Sequence, residues 1–321
     1  MMPKMVHLQG YQTAVRQRME KTSKHLYDFI DPKSGGAVLG EVLHIAALLG
    51  LDEIGDELAA VHADVVRLFG GLYPGYRKST AKYHNLEHTC SVVLATARLL
   101  HGCVLDGRST FSARGFLLCV LAAYFHDVGL IQEDGDIDGT GAKYTVGHEE
   151  RSVGFMQRYL ASRNYAANEI RDCADMIRCT ILAKSPDELA FASEEAGMLG
   201  RVIGTADLVA QIADRTYLEK LRLLFLEFEE AQLPGFASEL ELVMQTEAFY
   251  TNVAKSRLEG GLHGLNVHMR SHFRERWGVD EDLYQSAIEG NIAYISMLAD
   301  TCTKNPECYE ELLRRGVPPT E

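Results

Sequence analysis

Apolar and polar residues alternate at the helical repeat over most of the chain. Apolar side chains recur at steps of three and four residues, which places them on one face of a helix. The pattern predicts helices over Val6–Tyr27, Val38–Leu49, Ile54–Leu72, Asn85–Leu100, Arg114–Phe125, Gly147–Ala161, Glu169–Leu182, Glu194–Ala213, Tyr217–Glu230, Glu239–Glu259, Asp280–Leu298 and Pro306–Arg314. No run of alternating β-branched residues predicts a strand. We therefore expect an all-α helical bundle.

After Asp127 the helical pattern is lost, and Gln132–Gly141 is a loop rich in Gly and Asp. Its Gly and Glu residues do not have the spacing of an EF-hand, so a calcium loop is excluded. We find no internal repeat, low-complexity linker or obvious domain boundary. The expectation is a single all-helical domain over residues 1–321.

Composition and charge narrow the classes of partner. The chain has 321 residues, 46% of them hydrophobic, and 32 basic against 45 acidic residues give a net charge of −13. No basic block stands out, which argues against a nucleic acid duplex or an anionic membrane as main partner. No segment approaches about 18 consecutive apolar residues, and the start of the chain lacks a secretory signal pattern. The cysteines number seven and several lie in apolar helical stretches, so we expect buried free thiols in the cytoplasm; without a CxxC pair we expect no thiolate zinc site.

Candidate chemistry lies in short groups of His and Asp residues. His84 and His88 are one helical turn apart, and His126-Asp127 ends a long apolar run. Asp207 lies within another apolar stretch. A carboxylate in such surroundings is costly unless it is paired or bound to a metal. Imidazoles and carboxylates are common ligands of divalent metals.

Each group also has an ordinary structural explanation. The two histidines could be hydrogen-bonded core or surface residues, His126-Asp127 could end a helix at the surface, and Asp207 could pair with Arg201 or Arg215. The ordered combination in apolar surroundings favours one divalent cation shared by all the groups. Such a metal lowers the pKa of a bound water and yields hydroxide as a nucleophile.

The order His, His-Asp, Asp on helices resembles the signature of the HD superfamily of metal-dependent phosphohydrolases. Tyr83-His84-Asn85-x-x-His88 is similar to the opening motif of the class I cyclic-nucleotide phosphodiesterases, and Thr205-Ala206-Asp207-Leu208 resembles their last metal-ligand segment. The resemblance covers roughly residues 82–259. It implies an HD-domain or phosphodiesterase-like helical bundle whose catalytic core carries N- and C-terminal helical extensions.

The resemblance also implies roles for individual residues. His88, His126, Asp127 and Asp207 would ligate the first of two divalent ions (Zn, Mn, Mg or Fe). Asp127 would also bridge to the second ion, and His84 would give a proton to the leaving alkoxide. Tyr83 and Asn85 would shape and orient His84 and the phosphate.

The chain departs from the phosphodiesterase pattern in two ways. Leu130 occupies the place of a second histidine expected after His126-Asp127, whereas His148 lies where many HD proteins have another histidine. His148 would then ligate a second metal or bind phosphate. For a glutamine that clamps a purine, the candidates are Gln211 and Gln245.

The resulting functional hypothesis is a phosphodiesterase that acts on a small phosphoester, such as a cyclic nucleotide. Two further hypotheses are a nucleotide or sugar phosphomonoesterase and a non-catalytic, nucleotide-sensing HD module.

Overall fold

The computed structural model describes residues 24–302, 308–309 and 312–313, which form an all-α bundle, as expected. Its helices are α1 Gly35–Leu48, α2 Gly55–Phe69, α3 Leu86–Leu105, α4 Ala113–Phe125, α5 His148–Ser162, α6 Ala167–Arg178, α7 Glu194–Ile212, α8 Tyr217–Glu230, α9 Glu239–Phe249, α10 Lys255–Glu259, α11 Met269–Trp277 and α12 Leu283–Cys302. Short 3-10 turns occur at Leu26–Asp28, Asp52–Ile54, Val128–Leu130, Gly141–Tyr144, Pro186–Glu188 and Leu265–His268. Within the described ranges there is no strand, only an isolated bridge between Tyr76 and Glu133.

Side-chain caps fix where several helices begin. A serine or asparagine oxygen accepts a hydrogen bond from the backbone N–H three residues later, which satisfies a donor left free at the helix start. The capping residues are Ser34, Asn85, Ser112, Ser193 and Ser238. These caps explain why most helices begin within a few residues of the predicted positions. The predicted helices Val6–Tyr27 and Pro306–Arg314 lie mostly outside the described residues.

Two elements differ from the helices expected from the sequence. The predicted helix Glu239–Glu259 is interrupted by a π-helical turn at Tyr250–Ala254. The nine-residue helix α11 was not predicted at all. It buries Met269 and Phe273, but four charged residues in so short a segment weaken its apolar pattern.

The centre of the bundle is formed by α3 and α4. Helix α3 packs against α1, α4, α7 and α11, and every residue of α4 from Gly115 to Phe125 is buried. The stretches Leu86–Leu105 and Ala113–Leu130 are long and apolar enough to span a membrane, but 83% and 89% of their most apolar windows are buried inside the protein. Such burial is typical of the core helices of soluble proteins.

The cysteines follow the expectation in part. Cys90, Cys103, Cys119, Cys173 and Cys179 are buried and free. Cys302 and Cys308, however, form a disulfide, so the expectation of seven free thiols is wrong for this pair. Their Cα atoms are 5.4 Å apart, within the usual range for a disulfide, and no sequence motif indicated this proximity.

Gly102 allows the close approach of α3 to the Leu265–His268 turn. A Cβ atom at Gly102 would lie 2.0 Å from the carbonyl oxygen of His268, whereas one at Gly40 in α1 would meet nothing within 4 Å. We expect Gly102→Ala to lower the free energy of unfolding by about 1–3 kcal/mol, because the two backbones must separate. Gly40→Ala should raise it by roughly 0.5–1 kcal/mol through helix propensity. Urea unfolding of both variants checks this, and a Gly102→Ala protein as stable as wild type would contradict the packing.

Candidate metal centre

Three helices bring four of the predicted residues together. His88 lies in the first turn of α3, His126-Asp127 directly follows α4, and Asp207 lies within α7. His88 Nε2 is 3.4 Å from His126 Nε2, 3.3 Å from Asp127 Oδ2 and 3.3 Å from Asp207 Oδ1. His126 Nε2 is 3.1 Å from Asp127 Oδ2 and 3.7 Å from Asp207 Oδ1. A tetrahedral site with bonds of about 2.1 Å separates its ligand atoms by about 3.4 Å, so the distances among His88, His126 and Asp127 fit a shared divalent ion.

The chemistry of Asp127 supports a cation at this point. Asp127 and His126 are 2% and 1% exposed, and His88 is also buried. Asp127 Oδ2 is inaccessible to solvent and makes no hydrogen bond, although two imidazole nitrogens lie close to it. A buried carboxylate oxygen without a hydrogen bond is strongly unfavourable unless a cation compensates it. The buried group His88, His126 and Asp127 could therefore hold a metal ion.

Backbone carbonyls fix the orientation of two of the rings. The Nδ1 atom of His126 donates to the carbonyl of Ala123 at 2.8 Å, and that of His148 donates to the carbonyl of Thr145 at 2.8 Å. Each ring therefore turns Nε2 towards Asp127. This second hydrogen bond is the usual way in which proteins set the tautomer of a metal-ligating histidine.

The electrostatics of the site are dominated by the charge of Asp127. Burial lowers the pKa of His126, but the neighbouring Asp127 outweighs it and raises that pKa to about 9. The pKa of His148 is also raised to about 9, because its contact with Asp127 outweighs burial. Burial alone would raise the pKa of Asp127, yet His126 and His148 hold it well below its usual range. Protons and a metal ion would compete for the same imidazole nitrogens.

The two oxygens of Asp127 face different partners. Oδ2 lies beside His88 and His126, whereas Oδ1 is 3.2 Å from Nε2 of His148, the first residue of α5. Leu130, at the position where a histidine was expected, is buried in the Val128–Leu130 turn. A residue from α5 thus occupies the second side of Asp127, and Leu130 belongs to the core.

His84, which is partly buried, pairs with the buried Glu227 of α8, a residue not expected from the sequence. His84 Nδ1 is 2.6 Å from Glu227 Oε2, and Glu227 Oε1 accepts a hydrogen bond from Tyr83 N at 2.7 Å. The ring centroid of His84 is 5.6 Å from that of His88 and 5.9 Å from that of His148. Burial lowers the pKa of His84, but Glu227 and then Asp127 raise it overall. The only sequence signal for Glu227 was an acidic residue on the apolar face of a helix.

Tyr83 and Asn85 have partners within the protein. Asn85 caps α3, since its Oδ1 accepts from His88 N at 3.1 Å and its Nδ2 donates to Lys82 O at 2.9 Å. Tyr83 is buried against the His84 ring, and the side chain of Gln211 lies beside its hydroxyl. Both residues therefore hold His84 and His88 in place.

The two glutamines considered for purine binding also have partners within the protein. Gln211 lies beside the buried hydroxyl of Tyr83, and Gln245 donates to Glu241 on the surface. A role in purine binding would require either glutamine to exchange this partner for the base.

Asp207 contacts histidines, whereas the sequence also allowed an ion pair with an arginine. Its ion-pair contacts are with His88 and His126. Arg201, one of the two arginines considered, pairs with Asp187 at 2.5 Å. Asp207 therefore lies beside the group His88, His126 and Asp127 and contacts two of its members.

Comparison with known proteins adds one partial similarity. A family model described as Npun_R2479-like matches residues 134–274, which is less than half of the chain. The matched range contains His148, Asp207 and Glu227, but it begins after His126-Asp127. No curated protein matches the chain. The description of the family model names no activity.

Metal binding should depend on Asp127. We expect Asp127→Asn to weaken the binding of Zn²⁺ or Mn²⁺ by more than about 100-fold, because it removes the central charge that the imidazoles surround. Metal content after dialysis and a binding titration measure the effect. Asp106→Asn is the matched control, since Asp106 also pairs with a histidine, His268, but at the surface end of α3. Equal metal content in wild type and the Asp127 variant would contradict the assignment.

Proposed function

We propose that the chain is an HD-type, metal-dependent phosphohydrolase that cleaves a small phosphodiester, such as a cyclic nucleotide, in the cytoplasm. The observation that carries the proposal is the buried Asp127, which lies between His88 and His126 on one side and His148 on the other. The His84–Glu227 pair lies beside this group and supplies an acid. The resemblance of the motifs at residues 83–88 and 205–208 to the phosphodiesterases supports the choice of reaction.

A bound divalent ion would act as a Lewis acid and lower the pKa of a water that attacks phosphorus. His88, His126, Asp127 and Asp207 have the donor set for such an ion. The second oxygen of Asp127, together with His148, could hold a further ion or orient a phosphate oxygen. These residues would fix the phosphate next to His84.

His84 is suited to act as the general acid. Its Nδ1 donates to Glu227, which leaves the Nε2 proton for transfer to a leaving alkoxide. Glu227 favours the protonated imidazole before transfer, and it holds the ring in one orientation throughout. Glu227 acts through His84 and is therefore a positioning residue.

The charges around the site favour a monoanionic diester over a dianionic monoester. The cationic side chains near the ligand set already have partners. Arg257, whose charge acts on Asp207, donates to the carbonyls of Cys179, Ile181, Leu182 and Lys184. Lys220 pairs with Glu87 and Asp214, and Arg151 donates to the carbonyl of Gly129. The second charge of a monoester would therefore meet no uncommitted cation among these three side chains.

The proposal is tested with bis(p-nitrophenyl) phosphate and p-nitrophenyl phosphate in the presence of Mn²⁺, Mg²⁺ or Zn²⁺. We expect wild type to hydrolyse the diester faster than the monoester and to lose activity with a chelator.

His84→Ala should retain metal and lower kcat by roughly 10²–10⁴-fold, the usual contribution of a general acid. Absence of turnover of any phosphoester would overturn the proposal. Nucleotide binding without hydrolysis, unaffected by His84→Ala, would indicate a sensing module instead, and faster turnover of the monoester would indicate a phosphomonoesterase.

The pH dependence should report the contact between His84 and Glu227. The carboxylate raises the pKa of His84, so Glu227→Gln should lower that pKa. The acid must be protonated to react, and the alkaline limb of the kcat profile should therefore move to lower pH. Glu230→Gln is the matched control. Glu230 lies three residues further along α8, and its Oε2 accepts a hydrogen bond from Thr140 Oγ1 at 2.5 Å, so it contacts a threonine where Glu227 contacts a histidine. If the alkaline limb of the kcat profile is the same in Glu227→Gln as in wild type, Glu227 does not raise the pKa of the catalytic acid and the role assigned to it is wrong.

A further inference from the structure

The turn that follows Asp127 packs directly against the start of α5. Gly129 lies in this turn, two residues after Asp127, and His148 is the first residue of α5. A Cβ atom at Gly129 would lie 2.0 Å from the carbonyl oxygen of His148 and 2.7 Å from the backbone nitrogen of Ser152. Gly129 is not one of the glycines with a positive φ, so the close approach of the two backbones is what requires glycine here.

Both backbone groups of Gly129 are hydrogen-bonded to α5. Its N–H donates to Oγ of Ser152 at 2.8 Å, and its carbonyl accepts from Nε of Arg151 at 2.8 Å. Ser152 is fully buried, so the loss of its oxygen would leave a buried N–H without an acceptor. The turn is therefore fixed to the first turn of α5 by two hydrogen bonds as well as by direct contact.

Arg151 also contacts the segment that orients the His148 ring. Its guanidinium carbon lies 3.5 Å from the ring centroid of Tyr144, which is a favourable cation–π contact. Tyr144 precedes Thr145, whose carbonyl accepts from Nδ1 of His148. One side chain thus touches both the turn that follows Asp127 and the segment that sets the ring of its partner.

The contact between His148 and Asp127 has little tolerance for a change in this packing. His148 Nε2 is 3.2 Å from Asp127 Oδ1. Cβ atoms essentially never come within 3.0 Å of another heavy atom, so a methyl group on Gly129 would move the turn and α5 apart by about 1 Å. The distance between His148 and Asp127 would then become about 4 Å, which is too long for a hydrogen bond.

We propose that Gly129, Arg151 and Ser152 are positioning residues that hold His148 against Asp127. They act through His148, and their effect on turnover rests on the role of His148 in the proposed function. A misplacement of about 1 Å can lower a rate by about 10²-fold. The glycine contact therefore determines whether His148 reaches the phosphate oxygen or the ion on its side of Asp127.

The first test compares crystal structures of the full chain of wild type, Gly129→Ala and Gly154→Ala. We expect the distance between His148 Nε2 and Asp127 Oδ1 to increase by about 1 Å in Gly129→Ala alone. Gly154 is the matched control, since it also lies in α5 but a Cβ atom there would meet nothing closer than 3.7 Å. His88 should stay beside Asp127 Oδ2 in all three proteins. A Gly129→Ala protein that keeps the wild-type distance between His148 and Asp127 overturns the proposal.

The second test is a double-mutant cycle, measured as kcat/KM for bis(p-nitrophenyl) phosphate at a temperature at which every variant is folded. Gly129→Ala should lower kcat/KM by about 10²-fold in the wild-type background. In the His148→Ala background it should lower kcat/KM by less than about 3-fold, because the residue through which it acts is absent. A purely structural role would lower stability in both backgrounds and leave kcat/KM of the folded protein unchanged. That result, or two effects on kcat/KM that multiply, overturns the proposal.

Arg151→Met takes the place of Gly129→Ala in both tests if the alanine variant does not fold. It removes one hydrogen bond of a partly exposed side chain and should lower kcat/KM by about 3- to 10-fold. Arg158→Met, at an exposed arginine seven residues further along α5, should keep the wild-type value. Equal kcat/KM in Arg151→Met and Arg158→Met would contradict the proposal.

The two tests also separate this proposal from the proposed function. A wild-type protein that hydrolyses no phosphoester overturns the proposed function. The distance between His148 and Asp127 in the crystal structures then decides the positioning role, since that measurement needs no turnover.

Discussion

The constraint on which the site depends is the burial of one negative charge. The apolar helix α4 carries His126 and Asp127 into the interior, where an ionised carboxylate is stable only beside positive charge. His88 and His148 approach it from two other helices, one on each carboxylate oxygen. The packing of α3 and α5 around the end of α4 therefore also brings together a group of residues that could hold a cation.

Local hydrogen bonds convert this packing into a defined chemical environment. The Asn85 cap fixes the first turn of α3, and with it the position of His88. The carbonyls of Ala123 and Thr145 set the rings of His126 and His148. Each of these partners lies within three residues of the group that it orients. The geometry is thus built into helix ends, where free backbone groups are available.

The helices and the proximity of His88, His126 and Asp127 could be predicted from the sequence because both leave local patterns. The apolar run that ends in His126-Asp127 indicates by itself that the charge of Asp127 must be compensated. The apolar pattern likewise predicts the limits of α8, Tyr217–Glu230. Glu227 could not be assigned in this way, since it lies 143 residues from its partner His84. The Cys302–Cys308 disulfide is likewise a property of spatial neighbours, and no residue spacing encodes it.

The partial family match divides the site into two contributions. The matched residues 134–274 supply Asp207, His148 and Glu227, while His84, His88 and His126-Asp127 come from α3, α4 and the residues beside them, before that range. Asp127, the central carboxylate, lies in the unmatched part. The matched part alone would bring only Asp207 and His148 to the centre, and two ligands are too few for a tetrahedral metal site. Glu227 would also lack the histidine that it orients. The proposed chemistry therefore requires residues from both parts, because Asp127 and His84 precede the matched range, whereas His148, Asp207 and Glu227 lie within it.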